Sequence, residues 1–162
     1  MTTSQVTAIV HPFYRQFYLR RGSAPWATDG VSSDGYGARL EAIGGFVYVG
    51  TTMYGSPTVV TVEVRDDPPA LVHHDGDHVV EVSVAGEGLL ALFSWGADHP
   101  EETVDPPPGP LRLRGSWTGM AAARADPDYE AGTDRRSPER VAFQVWAAPI
   151  APRAVLRAWA AP

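Results

Sequence analysis

The chain has 162 residues and a formal net charge of −6, with 44% hydrophobic and 20% charged residues, a balance that suits one globular domain over 1–162 with a sizeable core. It has no cysteine and no lysine, so all 13 basic residues are arginine. Disulfide frameworks, thiolate metal sites, cysteine nucleophiles, P-loop lysines and Schiff-base chemistry are thereby excluded. No apolar run reaches the ~18 residues of a membrane span, and Met1–Val10 lacks a basic stretch followed by an apolar one, so a cytoplasmic protein with no membrane partner is expected.

Short runs rich in Val, Phe, Tyr and Trp dominate, and 16 glycines and 15 prolines interrupt them. That pattern predicts strands rather than helices. The first is read at Val6–Val10, continuing through Phe13–Leu19. Both faces of that second part carry aromatics, which predicts cover on both sides. Further strands are read at Gly45–Val49, Val59–Val64, Ala70–His73, Val79–Val84, Leu89–Trp95, Leu111–Trp117, Val141–Ala147 and Ala154–Trp159. Asp75-Gly76 predicts a tight hairpin between Leu71–His74 and His78–Val84, because a type I′ turn needs positive φ at both central residues. Gly86-Glu87-Gly88 is read as the link to the next strand. Gly35-Tyr36-Gly37 and Gly44-Gly45 are read as loop punctuation and strand entry. The whole predicts an all-β, antiparallel β-sandwich of about eight to nine short strands with little helix. Two long loops are expected. Gly96–Pro110 is acidic and proline-rich, hence extended and exposed. Ala121–Pro138 is polar, with a short helical piece at its Ala-rich start.

The charge is unevenly placed. Residues 1–62 hold three acids and four arginines, residues 63–105 eleven acids and only Arg65, and residues 106–162 five acids and eight arginines, for net charges of +1, −10 and +3. Such asymmetry points either to a basic partner or to a solubilising acidic face. It argues against nucleic acid, which requires clustered basic residues.

Candidates for chemistry are few. His73, His74, Asp75, Asp77 and His78 form the densest set of potential metal ligands, and a tight hairpin would hold them in water at a loop tip with no metal. A third reading of the chain, a metal-dependent enzyme, rests on that turn. Asp66-Asp67 and Glu101-Glu102 are adjacent carboxylates in proline-rich loops, and nothing selects them as an acid–base pair. Gly55-Ser56-Pro57 and Gly115-Ser116-Trp117 lack the nucleophile-elbow pattern. No catalytic residue, metal or other cofactor is therefore assigned, and the chain is not read as an enzyme. Trp26, Tyr36, Tyr48, Tyr54, Trp95, Trp117, Trp146 and Trp159 admit a carbohydrate-stacking platform, which makes a small-ligand or sugar-binding module the alternative reading. Trp95, Trp117 and Trp146 are expected in the core, since they lie on predicted strands.

Tyr14-Arg15-Gln16-Phe17-Tyr18-Leu19, then Trp26, then Gly35-Tyr36, and a closing strand Glu139–Ala147 ending in Trp146-Ala147-Ala148-Pro149, occur in an order that resembles the ComJ-type competence inhibitor family. The resemblance covers the N-terminal third and the final strand. It implies a small β-rich protein that binds and inhibits a DNA-entry nuclease, and similar proteins serve as immunity partners of secreted toxins. A −10 segment suits the basic cleft of a nuclease or toxin, as a phosphate mimic. The residues expected to meet such a partner are Asp98, Glu101, Glu102 and Asp105, with Asp66, Asp67, Tyr36 and Tyr54.

Overall fold

The computed structural model describes residues 4–70 and 76–161. Among the described residues, eleven strands form two sheets. In chain order these are β1 (Ser4–Val10), β2 (Gln16–Arg21), β3 (Leu40–Ile43), β4 (Phe46–Gly50), β5 (Thr58–Val64), β6 (His78–Val84), β7 (Leu90–Phe93), β8 (Glu102–Val104), β9 (Leu111–Thr118), β10 (Arg140–Ala147) and β11 (Ala154–Arg157). One sheet has the order β1-β5-β10-β9-β6-β11 and the other β3-β4-β2-β7-β8. Among the described residues, helix is confined to α1 (Ser33–Ala38), α2 (Met120–Arg124) and a 3-10 turn at Thr28–Gly30. The all-β, two-sheet reading holds.

Alternation sets the inner faces. Val60, Val62 and Val64 of β5 face the core, as do Val80, Val82 and Val84 of β6, while Glu63 and Glu81 between them point outward. Phe17, Leu19, Val47, Val49, Leu90 and Leu92 supply the opposing sheet. Trp117 is fully buried, and its Nε1–H donates across the sandwich to the Gly50 carbonyl at 2.8 Å. Trp146 is buried as expected.

The structure departs from the sequence reading in several places. The strand read through Phe13–Leu19 does not continue from β1: β1 pairs in one sheet and β2 in the other. The chain changes sheet at His11–Arg15, where Tyr14 (φ 53°) and Arg15 (φ 62°) adopt left-handed backbone. The link at Gly86–Gly88 likewise crosses between sheets, from β6 to β7. There Gly22 (φ 52°) meets it so closely that a Cβ would fall 2.4 Å from the Glu87 carbonyl oxygen. One pairing, β5 with β10, is parallel, because β10 inserts between β5 and the antiparallel β9. β3 and α1 carry too short a pattern to be read, and α1 incorporates the Gly35-Tyr36-Gly37 run. The helical piece at 121 is α2. The strand read at Ala70–His73 and the hairpin at Asp75 fall largely outside the described residues; Ala70 is not in a strand.

The five-stranded sheet has a second apolar face. Tyr18, Phe46, Tyr48 and Phe93 form a buried cluster on its outer side, packed by Ala27 and Val31 from the segment between β2 and β3. Aromatic cover on both faces of β2 follows, Phe17 inward and Tyr18 outward. No helix among the described residues is long and apolar enough to cross a membrane.

Candidate functional site

Three connections meet at one end of the five-stranded sheet: β1–β2, β4–β5 and β7–β8. They bring Phe13, Tyr14, Tyr54 and Trp95 into one cluster of edge-on and tilted rings, with centroids 4.6–5.4 Å apart. Phe13, Tyr14 and Trp95 are 40, 55 and 40% exposed. Large aromatic rings gathered in water are not core packing, and no strand of either sheet covers them. Trp95 is thus not a core residue, contrary to the expectation from its strand: β7 ends at Phe93, and Trp95 lies in the turn that follows.

The backbone beneath the cluster is firmly tied. Arg15 N–H donates to the Tyr54 carbonyl at 3.0 Å, Trp95 N–H to that of His11 at 3.1 Å, and Tyr54 N–H to that of Tyr129 at 3.0 Å. The Tyr129 ring lies between two guanidinium groups, Arg15 at 4.2 Å and Arg124 at 4.1 Å. Thr52 forms the anchor point. Its N–H donates to Glu139 Oε2 at 2.7 Å, its hydroxyl accepts from Arg39 Nη1 at 3.2 Å, and its carbonyl accepts from Arg15. Glu139 is fully buried, and Oε1 has no partner among the described residues. Burial pushes its carboxyl pKa up, opposed by the Thr52 hydrogen bond and by the Arg39 and Arg15 charges. Two consecutive non-glycine residues in left-handed backbone cost free energy, and these ties hold them there.

The acidic candidates separate into groups. Asp98, Glu101, Glu102 and Asp105 are all exposed. The turn carrying Asp98 and Glu101 is at the aromatic end, where His11 N–H donates to Ser94 Oγ at 2.9 Å and Ser94 Oγ donates to Glu101 Oε1 at 2.5 Å. Glu102 lies on β8, the edge strand of its sheet, and Asp105 lies past the opposite end of it. The loop read as extended and exposed contains a strand, and its Val104 and Pro106 are buried. Its proline-rich remainder is pinned from inside by Arg21, buried in the core, which donates to the Gly109 carbonyl at 2.5 Å and that of Pro107 at 3.1 Å. Asp66 and Asp67 are exposed after β5. They lie at the far end of that strand from the cluster, since its start, Thr58, pairs with Val10. Tyr54 is in the cluster. Tyr36 is exposed on α1, edge-on to Tyr48 at 4.9 Å.

Part of the acidic segment is paired within the molecule. Glu81 receives Arg112 Nε at 3.1 Å on one oxygen and Arg114 Nη2 at 2.7 Å on the other, with both arginines buried. Arginines of the basic C-terminal third thus neutralise charge in the acidic middle third. Among the described residues, Asp66, Asp67, Asp98, Glu102 and Asp105 form no ion pair within 4.0 Å.

The histidine turn departs from expectation at His78. His73, His74 and Asp75 lie outside the described residues, and Asp77 is half-buried. His78 is buried, not exposed at a loop tip. Its Nδ1 accepts Trp159 N–H at 3.1 Å, so Nε2 carries the proton and donates to the Ala38 carbonyl at 2.8 Å. Burial lowers its pKa, the Ala38 bond opposes this, and Arg39 adds to it.

A groove of about 620 Å³ runs along the outer face beside the cluster, lined by Tyr14, Tyr18, Arg20, Trp26, Tyr36 and Trp95 among others. Of the aromatics that the sequence offers for a stacking platform, Trp26, Tyr36 and Trp95 line this groove, while Tyr48, Trp117 and Trp146 are buried.

No family model matches the chain, and no curated protein matches it at a significant level. Solved structures do share its fold. ComJ from Bacillus subtilis, described as an inhibitor of the DNA-degrading activity of NucA, is 9% identical over 91% of this chain and 96% of its own, with a TM-score of 0.58. The protein described as crocagin biosynthetic gene J is 14% identical over 90% of this chain and 98% of its own, with a TM-score of 0.57. At these identities the likeness is one of fold: the chain is built on the two-sheet architecture of ComJ, as its first and last strands suggested.

Proposed function

We propose that the chain is a single, non-enzymatic protein-binding domain of the inhibitor or immunity type, which blocks a basic nuclease or toxin with the aromatic end of its five-stranded sheet. The observation that carries this reading is the exposed ring cluster, held on strained but fully tied backbone and bordered by carboxylates. Rigid aromatic rings lose little entropy on docking and supply anchors. Asp98, Glu101 and Glu102, beside them, supply attraction for a basic surface and faster encounter. Asp105, Asp66 and Asp67 lie beyond the opposite strand ends and contribute only to the longer-range field. The shared fold with ComJ, a nuclease inhibitor, supports the same class of partner.

The test begins with capture from the source cell's lysate on the immobilised chain, with a Tyr14→Ser/Trp95→Ala variant as the control. A captured basic protein should degrade nucleic acid or poison cells, and the wild-type chain should suppress that activity stoichiometrically. A partner that binds the variant equally well, or whose activity is untouched, would overturn the reading.

A further inference from the structure

The groove on the outer face has features that a protein-contact surface does not require. At about 620 Å³ it lies within the usual range of small-ligand sites, about 300–1,000 Å³. Its floor is the outward stripe of the central strand β2, formed by Gln16, Tyr18 and Arg20. Trp26 and Tyr36 line it from the β2–β3 segment, and Trp95 and Asp98 from the β7–β8 turn.

Arg20 is the one cation among the lining residues. Its guanidinium is fixed against two rings, 4.7 Å from the Trp26 centroid and 5.2 Å from that of Phe93. Its Nε is buried and has no hydrogen-bond partner, and Arg20 forms no ion pair within 4.0 Å, among the described residues. The other arginines buried in the sheets are satisfied: Arg21 by carbonyls, Arg112 and Arg114 by Glu81. A desolvated donor with nothing to donate to is costly in a folded protein. A planar fork held by stacking is also preorganised for a carboxylate, which it meets with two parallel hydrogen bonds.

We propose that this groove binds a small aromatic carboxylate, with Arg20 pairing the anion and the rings of Trp26, Tyr36 and Trp95 stacking on the ligand. One guanidinium matches one negative charge. Asp29 and Asp98 also line the groove and leave its charged lining net negative, so only an anion in direct contact with Arg20 is held, and a phosphomonoester dianion is opposed more strongly than a carboxylate. The walls call for a flat apolar body. The Tyr18 hydroxyl, its pKa pushed up to about 12 chiefly by burial, stays protonated as a neutral polar group on the floor. The inference goes beyond the partner-surface reading and does not depend on it, although Trp95 and Asp98 serve both.

The test uses the full chain with phenylacetate and indole-3-acetate, each against its neutral amide, followed by tryptophan fluorescence and calorimetry. The acids should bind and perturb tryptophan emission, with the amides weaker by about tenfold or more. Arg20→Gln should abolish that difference. The acid–amide comparison on the wild-type chain needs no variant, so it stands even if Arg20→Gln folds poorly. No binding of either acid up to about 5 mM, a barely measurable affinity, or equal binding of acid and amide, would overturn the proposal. A failure here would leave partner capture by the ring cluster unaffected.

Discussion

Glu139, on the approach to β10, accepts the backbone N–H of Thr52 at 2.7 Å, although the two are 87 positions apart in the chain. Arg39 and Arg15 close on the same threonine. This contact joins the start of β10 in one sheet to the end of β4 in the other. It fixes the connection that presents Tyr54 and supports the left-handed turn that presents Tyr14. The exposed rings thus depend on a carboxylate that no solvent or partner can touch.

Replacing Glu139 with alanine should cost about 1–3 kcal/mol, the penalty for leaving the buried Thr52 donor unpaired, and should weaken partner binding through the loosened turn. Glu139→Gln keeps an acceptor and should restore most of both. Its pH behaviour has a definite sign. The folded state raises the Glu139 pKa above 4.5, so its contribution is full below pH 4.5 and is lost as pH rises through the raised value. Urea unfolding of wild type and Glu139→Gln from pH 4 upward should show that decline only in the wild type.

His78 acts in the opposite sense. Its pKa is lowered from 6.5 in the folded chain, so the unfolded chain takes up a proton first as pH falls. Stability from the neutral, doubly hydrogen-bonded ring is full above pH 6.5 and is lost as pH falls through the depressed value. His78→Gln should be less stable at pH 8 and flatter below pH 6.5, as read by urea midpoints. An identical slope in both proteins would contradict the assignment.

Glu81 holds two buried guanidinium groups. Glu81→Ala should cost about 3–5 kcal/mol, because it leaves buried charge uncompensated. Where the variant remains folded, its affinity for the partner should be unchanged, since the pair lies on the other sheet. A large loss of affinity without loss of stability would move the binding surface to that face.

Tyr14 separates stability from function. Its backbone is left-handed (φ 53°), which costs a non-glycine residue about 1–2 kcal/mol. Tyr14→Gly relieves that strain while removing an exposed ring, so thermal stability should hold or rise while partner binding falls at least tenfold. Parallel loss of both would mean that the ring serves packing alone.

Much of the sandwich is legible in the sequence because Val60–Val64 and Val80–Val84 alternate cleanly, and a period of two has one physical meaning. What is not legible depends on partners distant in sequence. β8 is hidden because its three residues sit among prolines, and only the register with Leu90–Leu92 and the anchoring by Arg21 make it a strand. The change of sheet at His11–Arg15 is invisible because Tyr and Arg do not announce left-handed backbone as glycine does. His78 reads as an exposed turn ligand because its neighbours are polar; its burial comes from Ala38 and Trp159, elements 40 and 81 positions away. The acidic block is read correctly as composition, but Glu81 is half-buried on the outer face of its sheet and neutralised there by Arg112 and Arg114. Of the residues expected to meet a partner, Tyr54, Asp98 and Glu101 gather at the ring cluster; Trp95 escapes a reading that puts it in the core, and Tyr14 one that expects cover on both faces of its strand.

The most direct measurement of the central claim is partner association by surface plasmon resonance at two salt concentrations, with three proteins: wild type, Trp95→Ala, and Asp98→Asn/Glu101→Gln/Glu102→Gln/Asp105→Asn. The ring cluster as anchor and the carboxylates as steering charges, Asp105 through the longer-range field, predict a split in the rate constants. Trp95→Ala should raise the dissociation rate by tenfold or more, a loss of about 1.4 kcal/mol or greater, with association little changed. The fourfold neutral variant should associate more slowly and with a flatter salt dependence. Unchanged rates in both variants would place the partner surface elsewhere on the molecule and contradict the account.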